Sequence, residues 1–266
     1  MDKPFGFCSF GVESVLKTFI KKIQYQSSMN HEEIHAHNVR IKEKYMGDFV
    51  LKFGETAHHL QEAVKKLLEQ DLETAARVFE ENPVIRYRKG DQVPQDYLQL
   101  GKLKKPEFGA KKNTPNVRER DKFEVFRRDH YHCRYTGIKL ITHPMLELLS
   151  YLLPSHFPYD NPPRGSDKGA KNTHLLVWVL WPSVDHIIPV SQGGLNEMSN
   201  YTTANSKFNM FKGNILNEHL GLEFLDAADK NWKGLEDEYQ SLLIKYRDQV
   251  PLSRLPKLEN WATLMR

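Results

Sequence analysis

Apolar residues recur at helical spacing through much of residues 11–82 of the 266-residue chain. In VESVLKTFIKKI, Val12, Val15, Leu16, Phe19 and Ile20 share one face; in HHLQEAVKKLLEQ, Leu60, Val64 and Leu67 do the same. NHEEI and DLETAARVFEEN read as helix starts with Asn30 and Asp71 as caps, since a short polar side chain can accept from a first-turn backbone N–H. From about Pro94 to Pro115 the periodicity dissolves into Pro, Gly, Lys and Asn, as a domain boundary does. VRERDKFEVFRRDH then predicts a short amphipathic helix that buries Phe123 and Phe126 and leaves Arg127 and Arg128 pointing outward. CRYTGIKLI predicts a hairpin and PMLELLSYLL a buried helix; after a long loop, HLLVWVLW predicts a strand. A helix is expected from about Asn200 to Lys212, and another in KGLEDEYQSLLIKYRDQ. The sum is an α+β chain: a helical region over 1–100, a basic linker over 101–117, a mixed domain over 118–220, and a helical extension over 221–266 that packs on it.

Composition narrows the class. Apolar residues make up 39% of the chain, and no stretch reaches the ~18 uncharged apolar residues a membrane helix needs. No secretory leader is legible at the start, and two cysteines, Cys8 and Cys133, are too few for a disulfide framework. Together these point to reduced thiols and a cytoplasmic protein. The net charge of +4 is unevenly spread. Residues 101–134 hold eleven Lys/Arg against five acids, a local +6, while the rest of the chain sums to −2. A solvated linker explains such a run; so does a polyanion partner, with Lys104, Lys105, Lys111, Lys112, Arg127, Arg128 and Arg134 as the candidate nucleic-acid contacts. His35, His37, His58 and His59 have no carboxylates or cysteines at ligand spacing and are expected at the surface.

The chemistry concentrates in VDHIIPVSQGGLNEMSNYTTANSKFNMFKGN. Asp185 and His186 end an apolar run, followed by Pro189 and a Gly193–Gly194 pair. Asn200 lies fourteen residues beyond His186, Asn209 nine further on, and Lys212 three beyond that. A strand, a glycine-bearing turn, a second strand and a helix would fold back so that Asp185 and Asn209 face each other. Two oxygen donors from different elements suit a hard divalent cation, which keeps its other positions for water and phosphate oxygens. His186, next to Asp185, would then reach a water to be deprotonated.

This stretch resembles the HNH endonuclease motif, the ββα-metal fold, in its His-Asn-Asn form, and RRDHYHCRYTG resembles the hairpin that often precedes it. The likeness covers residues 118–218. It implies a phosphodiester hydrolase in which Asp185 and Asn209 bind Mg²⁺ (or Mn²⁺) and His186 is the general base. Asn200 would fix the loop that carries His186, and Lys212 would neutralise a phosphate near the scissile bond. Products would carry 5′-phosphate and 3′-hydroxyl ends.

Many relatives brace this fold with two Cys-x-x-Cys pairs on zinc. Here Thr136 stands where the second cysteine of the first pair would be, and NSKFN has none, so no four-cysteine zinc site is expected. DNA is the expected substrate; RNA is the alternative, as is a nucleic-acid-binding or partner-docking protein whose HNH domain is inactive. The helical region would then serve oligomerisation or a protein partner. Antiviral defence or restriction is the setting such a nuclease suits.

Overall fold

The computed structural model describes residues 31–86, 117–160 and 173–265. Asn30, the expected helical face of Val12, Val15, Leu16, Phe19 and Ile20, most of the long loop and Lys104, Lys105, Lys111 and Lys112 lie outside the described residues. The described chain is mostly helical, with one small antiparallel sheet.

Three helices open it: α1 (His31–Phe53), α2 (Thr56–Leu68) and α3 (Leu72–Glu81). On α1, Tyr45, Phe49 and Phe53 follow at intervals of four, so their rings form a row along one face, with centroids 5.4 and 5.1 Å apart. α2 buries Leu60, Val64 and Leu67, as its spacing predicts, together with Ala63. Asp71 caps α3 as expected, accepting from the Thr74 backbone N–H at 2.9 Å.

α4 (Glu119–Arg128) buries Phe123, Val125 and Phe126. The expected hairpin after it is a tight turn closed by one bridge, His132 to Lys139. α5 (His143–Leu152) is the buried helix expected there.

The next segment differs from its sequence reading. Residues Leu175–Leu180 form a helix, α6, and not a strand. Six apolar residues in a row fit a buried helix as well as a buried strand, and four of these are buried. Two flanking residues favour the helix. His174 caps it, its Nδ1 accepting from the Leu176 N–H at 3.1 Å, and Pro182, which has no N–H to give, lies just beyond its end.

β1 (Pro182–His186) follows and pairs antiparallel with β2 (Tyr201–Asn205), His186 opposite Tyr201 and Pro182 opposite Asn205. The helix expected from Asn200 therefore starts six residues later, as α7 (Ser206–Lys212). Tyr201, Thr202 and Thr203 suit a pleated surface better than a helix, and β1 supplies the ladder. Asn205 then turns the chain, its Oδ1 accepting from the Phe208 N–H at 2.7 Å.

α8 (Glu236–Lys245) and α9 (Leu255–Leu264) complete the fold. Tyr246, beyond α8, donates its hydroxyl to the Leu67 carbonyl at 2.7 Å. One continuous hydrophobic core runs from Tyr45 on α1 to Met265, so the described parts of the three expected regions share their interior. Among the described residues no helix is long and apolar enough to cross a membrane.

Candidate active site

The β1–β2 connection is fixed by one side chain. Asn200 Oδ1 accepts from the Ile188 N–H at 2.8 Å, while its Nδ2 donates to the carbonyls of Ile188 and Leu195, both at 2.9 Å. Those bonds satisfy backbone groups that a turn leaves without a ladder partner. The loop closes so tightly that a Cβ on Gly194 would stand 1.8 Å from the Ile188 carbonyl oxygen and 2.7 Å from Asn200 Nδ2. Gly193, beside it, has a φ of +94°, which only glycine adopts readily.

α7 lies across β1. Side chains two apart on a strand share a face, so Ser183 and Asp185 point the same way. Asn209 on α7 donates its amide to Ser183 Oγ at 2.7 Å and to the Val184 carbonyl at 3.3 Å. One turn on, Lys212 Nζ stands 2.9 Å from Asp185 Oδ2 and 3.2 Å from the His186 carbonyl. The helix thus brings Asn209, Lys212 and Asp185 to one face of β1. Lys212 is wholly buried, with no surface for an incoming phosphate; here it serves as the counter-ion of Asp185 and a tie to the strand end.

Tyr135, from the turn after α4, donates its hydroxyl to Asp185 Oδ2 at 2.5 Å and packs its ring on Phe208 of α7 at 4.9 Å. Burial raises the Asp185 carboxyl above its ordinary pKa, against the pull of the Lys212 ammonium and the Tyr135 hydroxyl. Burial, with the adjacent Asp185 charge, pushes the Tyr135 phenol far up, so it stays a donor.

His186 closes the strand. Its ring meets Tyr201 edge-on at 5.0 Å, and its Nε2 lies 2.9 Å from Asn196 Oδ1. An oxygen there accepts, so Nε2 is the donor; of the two neutral tautomers, the one that makes this contact carries its lone pair on Nδ1.

The donor chemistry fits a hard divalent cation. The Val184 carbonyl can only accept, so Asn209 must turn its NH₂ toward it and its oxygen away. Among the described residues, no hydrogen bond or ion pair engages Asn209 Oδ1 or Asp185 Oδ1. One carboxylate and one amide oxygen are the few protein ligands that Mg²⁺, which keeps most of its waters, requires. No group of three or more His, Cys, Asp or Glu is placed to hold a metal among the described residues.

Compared with protein-family models, curated proteins and solved structures, the chain matches none.

The remaining candidates are placed as follows. Arg127 and Arg128, expected to point outward, and Arg134, expected as a nucleic-acid contact with them, commit their guanidinium groups to the protein. Arg127 grips Glu236 with two contacts, at 3.0 and 3.1 Å. Arg128 reaches Asp129 and the Tyr201 carbonyl, and Arg134 reaches the Leu225 carbonyl and Asp129. The buried Asp129 carboxylate also accepts from the Thr203 N–H at 2.8 Å, so this cluster ties the end of α4 to β2. His35 and His58 are exposed, and His37 and His59 half-buried. Cys133 is buried, its sulfur 3.6 Å from Asn205 Nδ2.

Tyr135, Ser183 and Asn196 escaped the sequence reading. Asn196 sits between the glycine pair and Asn200, where a polar loop residue draws no notice. Tyr135 lies 50 residues before Asp185, and no local pattern links them.

Proposed function

We propose that the protein is a metal-dependent endonuclease of the HNH type that hydrolyses phosphodiester bonds in DNA, and that β1, its loop, β2 and α7 are its ββα-metal unit. The observation that carries this reading is the convergence of Asp185 and Asn209 on one face of β1, beside a His186 whose loop is pinned by Asn200. Asp185 and Asn209 would hold a Mg²⁺ or Mn²⁺ ion. When bound, such an ion supplies Lewis-acid stabilisation of the charge that develops on the phosphate and the leaving oxygen.

The chain's own residues do the rest. His186 Nδ1 takes a proton from water, whose oxygen attacks phosphorus; the bond from phosphorus to the 3′ oxygen breaks and that oxygen takes a proton from solvent, leaving 5′-phosphate and 3′-hydroxyl ends. Asn196 holds the imidazole in the tautomer that this requires. Asn200 and Gly194 keep the loop closed, so that His186 is oriented before substrate arrives. Lys212 and Tyr135 hold one Asp185 oxygen and leave the other for the ion.

The test is nicking of supercoiled plasmid by the full chain, with and without Mg²⁺, beside Asp185→Ala and Asn209→Ala. Mg²⁺-dependent nicking by wild type, with loss of both cleavage and Mg²⁺ affinity in each variant, is the expected result. A protein that cuts equally well in a chelator, or a wild type that cuts neither DNA nor RNA, overturns the reading. Sequencing the ends cut from mixed DNA and RNA substrates decides between the two nucleic acids.

A further inference from the structure

The loop between β1 and β2 turns apolar side chains to solvent. Ile188, Leu195 and Met198 are 48%, 62% and 37% exposed. Single apolar residues scattered over a surface are ordinary; three on one loop of a candidate active site are a patch. The same loop does bury an apolar side chain, since Val190 is only 5% exposed. We infer that Ile188, Leu195 and Met198 form a wedge that parts adjacent base pairs of the DNA being cut; this rests on the nuclease reading above.

Each of the three is fixed through its main chain. Asn200 Nδ2 donates to the Ile188 and Leu195 carbonyls, both at 2.9 Å, so one nitrogen sets these two residues side by side across the loop. The Gly194 N–H donates to the Pro189 carbonyl at 3.1 Å, which closes the loop between them. The Met198 carbonyl accepts from Arg128 Nη1 at 3.1 Å. Side chains presented on a backbone held in this way have less freedom to lose when they bind.

Position says what covers them. Ile188 lies two residues past His186, and Leu195 adjoins Asn196, whose Oδ1 stands 2.9 Å from His186 Nε2. A strand whose phosphate reaches His186 must run over this loop, so the substrate itself is the occupant.

Chemistry says which part of the substrate they meet. Residues 187–199 hold one ionisable side chain, Glu197, an acid that accepts from Ser199 Oγ at 2.7 Å. Arg128, which reaches the loop, is committed to Asp129 and to the Met198 and Tyr201 carbonyls, and Lys212 is buried. The loop thus offers a phosphate nothing. Its apolar side chains gain by leaving water against bases, whose faces are covered in an intact stack. Apolar side chains reach those faces by opening a base step, which kinks the duplex at the cost of stacking. Opening is easiest at a mismatched pair, so the favoured substrate carries a loosened base step near the cut.

The experiment measures binding of the full chain to two short labelled DNA duplexes by fluorescence anisotropy, without divalent ions. One duplex is fully paired; the other has a single central mismatch with 2-aminopurine beside it. The mismatched duplex should bind about 10- to 100-fold more tightly, and its 2-aminopurine should brighten as the base leaves the stack. Ile188→Ser with Leu195→Ser changes two exposed positions, so the melting temperature should hold. The preference should fall towards unity and the brightening should be lost. Equal affinity for the two duplexes, a 2-aminopurine that stays dark, or a preference that survives the double substitution overturns the inference. So does a dimer of the free chain, seen by sedimentation, that the double substitution dissociates, since a second copy would then cover the patch. Plasmid cleavage in Mg²⁺ is read separately. Wild type that cuts but ignores the mismatch refutes the wedge alone; wild type that senses the mismatch but never cuts refutes the nuclease reading.

Discussion

The α1–α3 region and the β1–loop–β2–α7 unit are both well buried, but by different means. In the first, the interior is aliphatic and aromatic: Phe49, Phe53, Leu60, Val64, Leu67 and Phe79 are each at most 1% exposed. In the second, Asp185, Asn200, Thr202, Thr203, Asn205, Lys207 and Lys212 are buried beside apolar neighbours. A non-directional interior depends on volume and forgives exchange of one aliphatic side chain for another. A polar interior depends on each partner being present, since a donor or charge left alone inside is costly. Stability alone would be served by apolar packing in both places. The second region keeps polar groups where apolar ones would pack as well, and in the proposed enzyme that polarity is the machinery.

The contrast breaks most visibly at His186. His186→Ala removes no metal ligand and no core packing partner of α7. Thermal stability and Mg²⁺ affinity, the latter by titration calorimetry, should stay near wild type. Plasmid cleavage should fall by about 10²–10⁴-fold, the share of a general base. Wild-type cleavage, or loss of Mg²⁺ on the scale of Asp185→Ala, refutes the role given to His186.

Lys212→Met tests the polar interior directly. It preserves length but leaves the buried Asp185 without its cation, which costs about 3–5 kcal/mol. Urea unfolding should record that loss, and adding Asp185→Asn should recover part of it. The matched change in the other region, Leu60→Met, should cost less than about 1.5 kcal/mol. Similar losses at the two sites would erase the distinction.

A smaller effect comes from acid. His174 Nε2 lies 2.7 Å from the Ile85 carbonyl, and the ring stacks on Phe157 at 4.9 Å. Burial lowers its pKa from the ordinary 6.5 to about 4. Below pH 6.5 the unfolded chain binds a proton that the folded chain refuses until near pH 4, so stability falls across that window and is flat above it. At pH 5 this one group should cost on the order of 2 kcal/mol relative to pH 7. His143 acts in the same direction. Melting curves should show a shallower acid slope for His174→Gln than for wild type.

Local signals carried the parts of the fold that depend on near neighbours. The buried faces of α2 and α4 and the Asp71 cap are set within a turn or so of chain, and the pattern announces them. β2 needed β1, which precedes it by a whole loop, before Thr202 and Thr203 became strand residues; in the sequence they merge with the helix behind them. The α6 run is apolar on every side, so it has no period to read. Charge counting placed Arg127 and Arg134 in a basic stretch but could not see Glu236 or Asp226, which lie 109 and 92 residues away. At the candidate site, spacing picked out Asp185, His186, Asn200, Asn209 and Lys212, and the fold puts Asn200 on the loop and the rest around β1. That Lys212 turns inward to Asp185, and that Tyr135 and Asn196 join them, follows from three-dimensional neighbours alone.

α7 is seven residues long, about 10 Å of helix, and it is held from two sides. Asn209 and Lys212 fasten it to β1, while Phe211 lies flat against Tyr45 of α1, centroids 4.5 Å apart and planes within 8°. So short a rod has no length over which to bend, and a push on one side arrives undiminished at the other. The α1 helix, which carries none of the proposed chemistry, is therefore the far wall against which α7, with Asn209 and Lys212 on it, is seated.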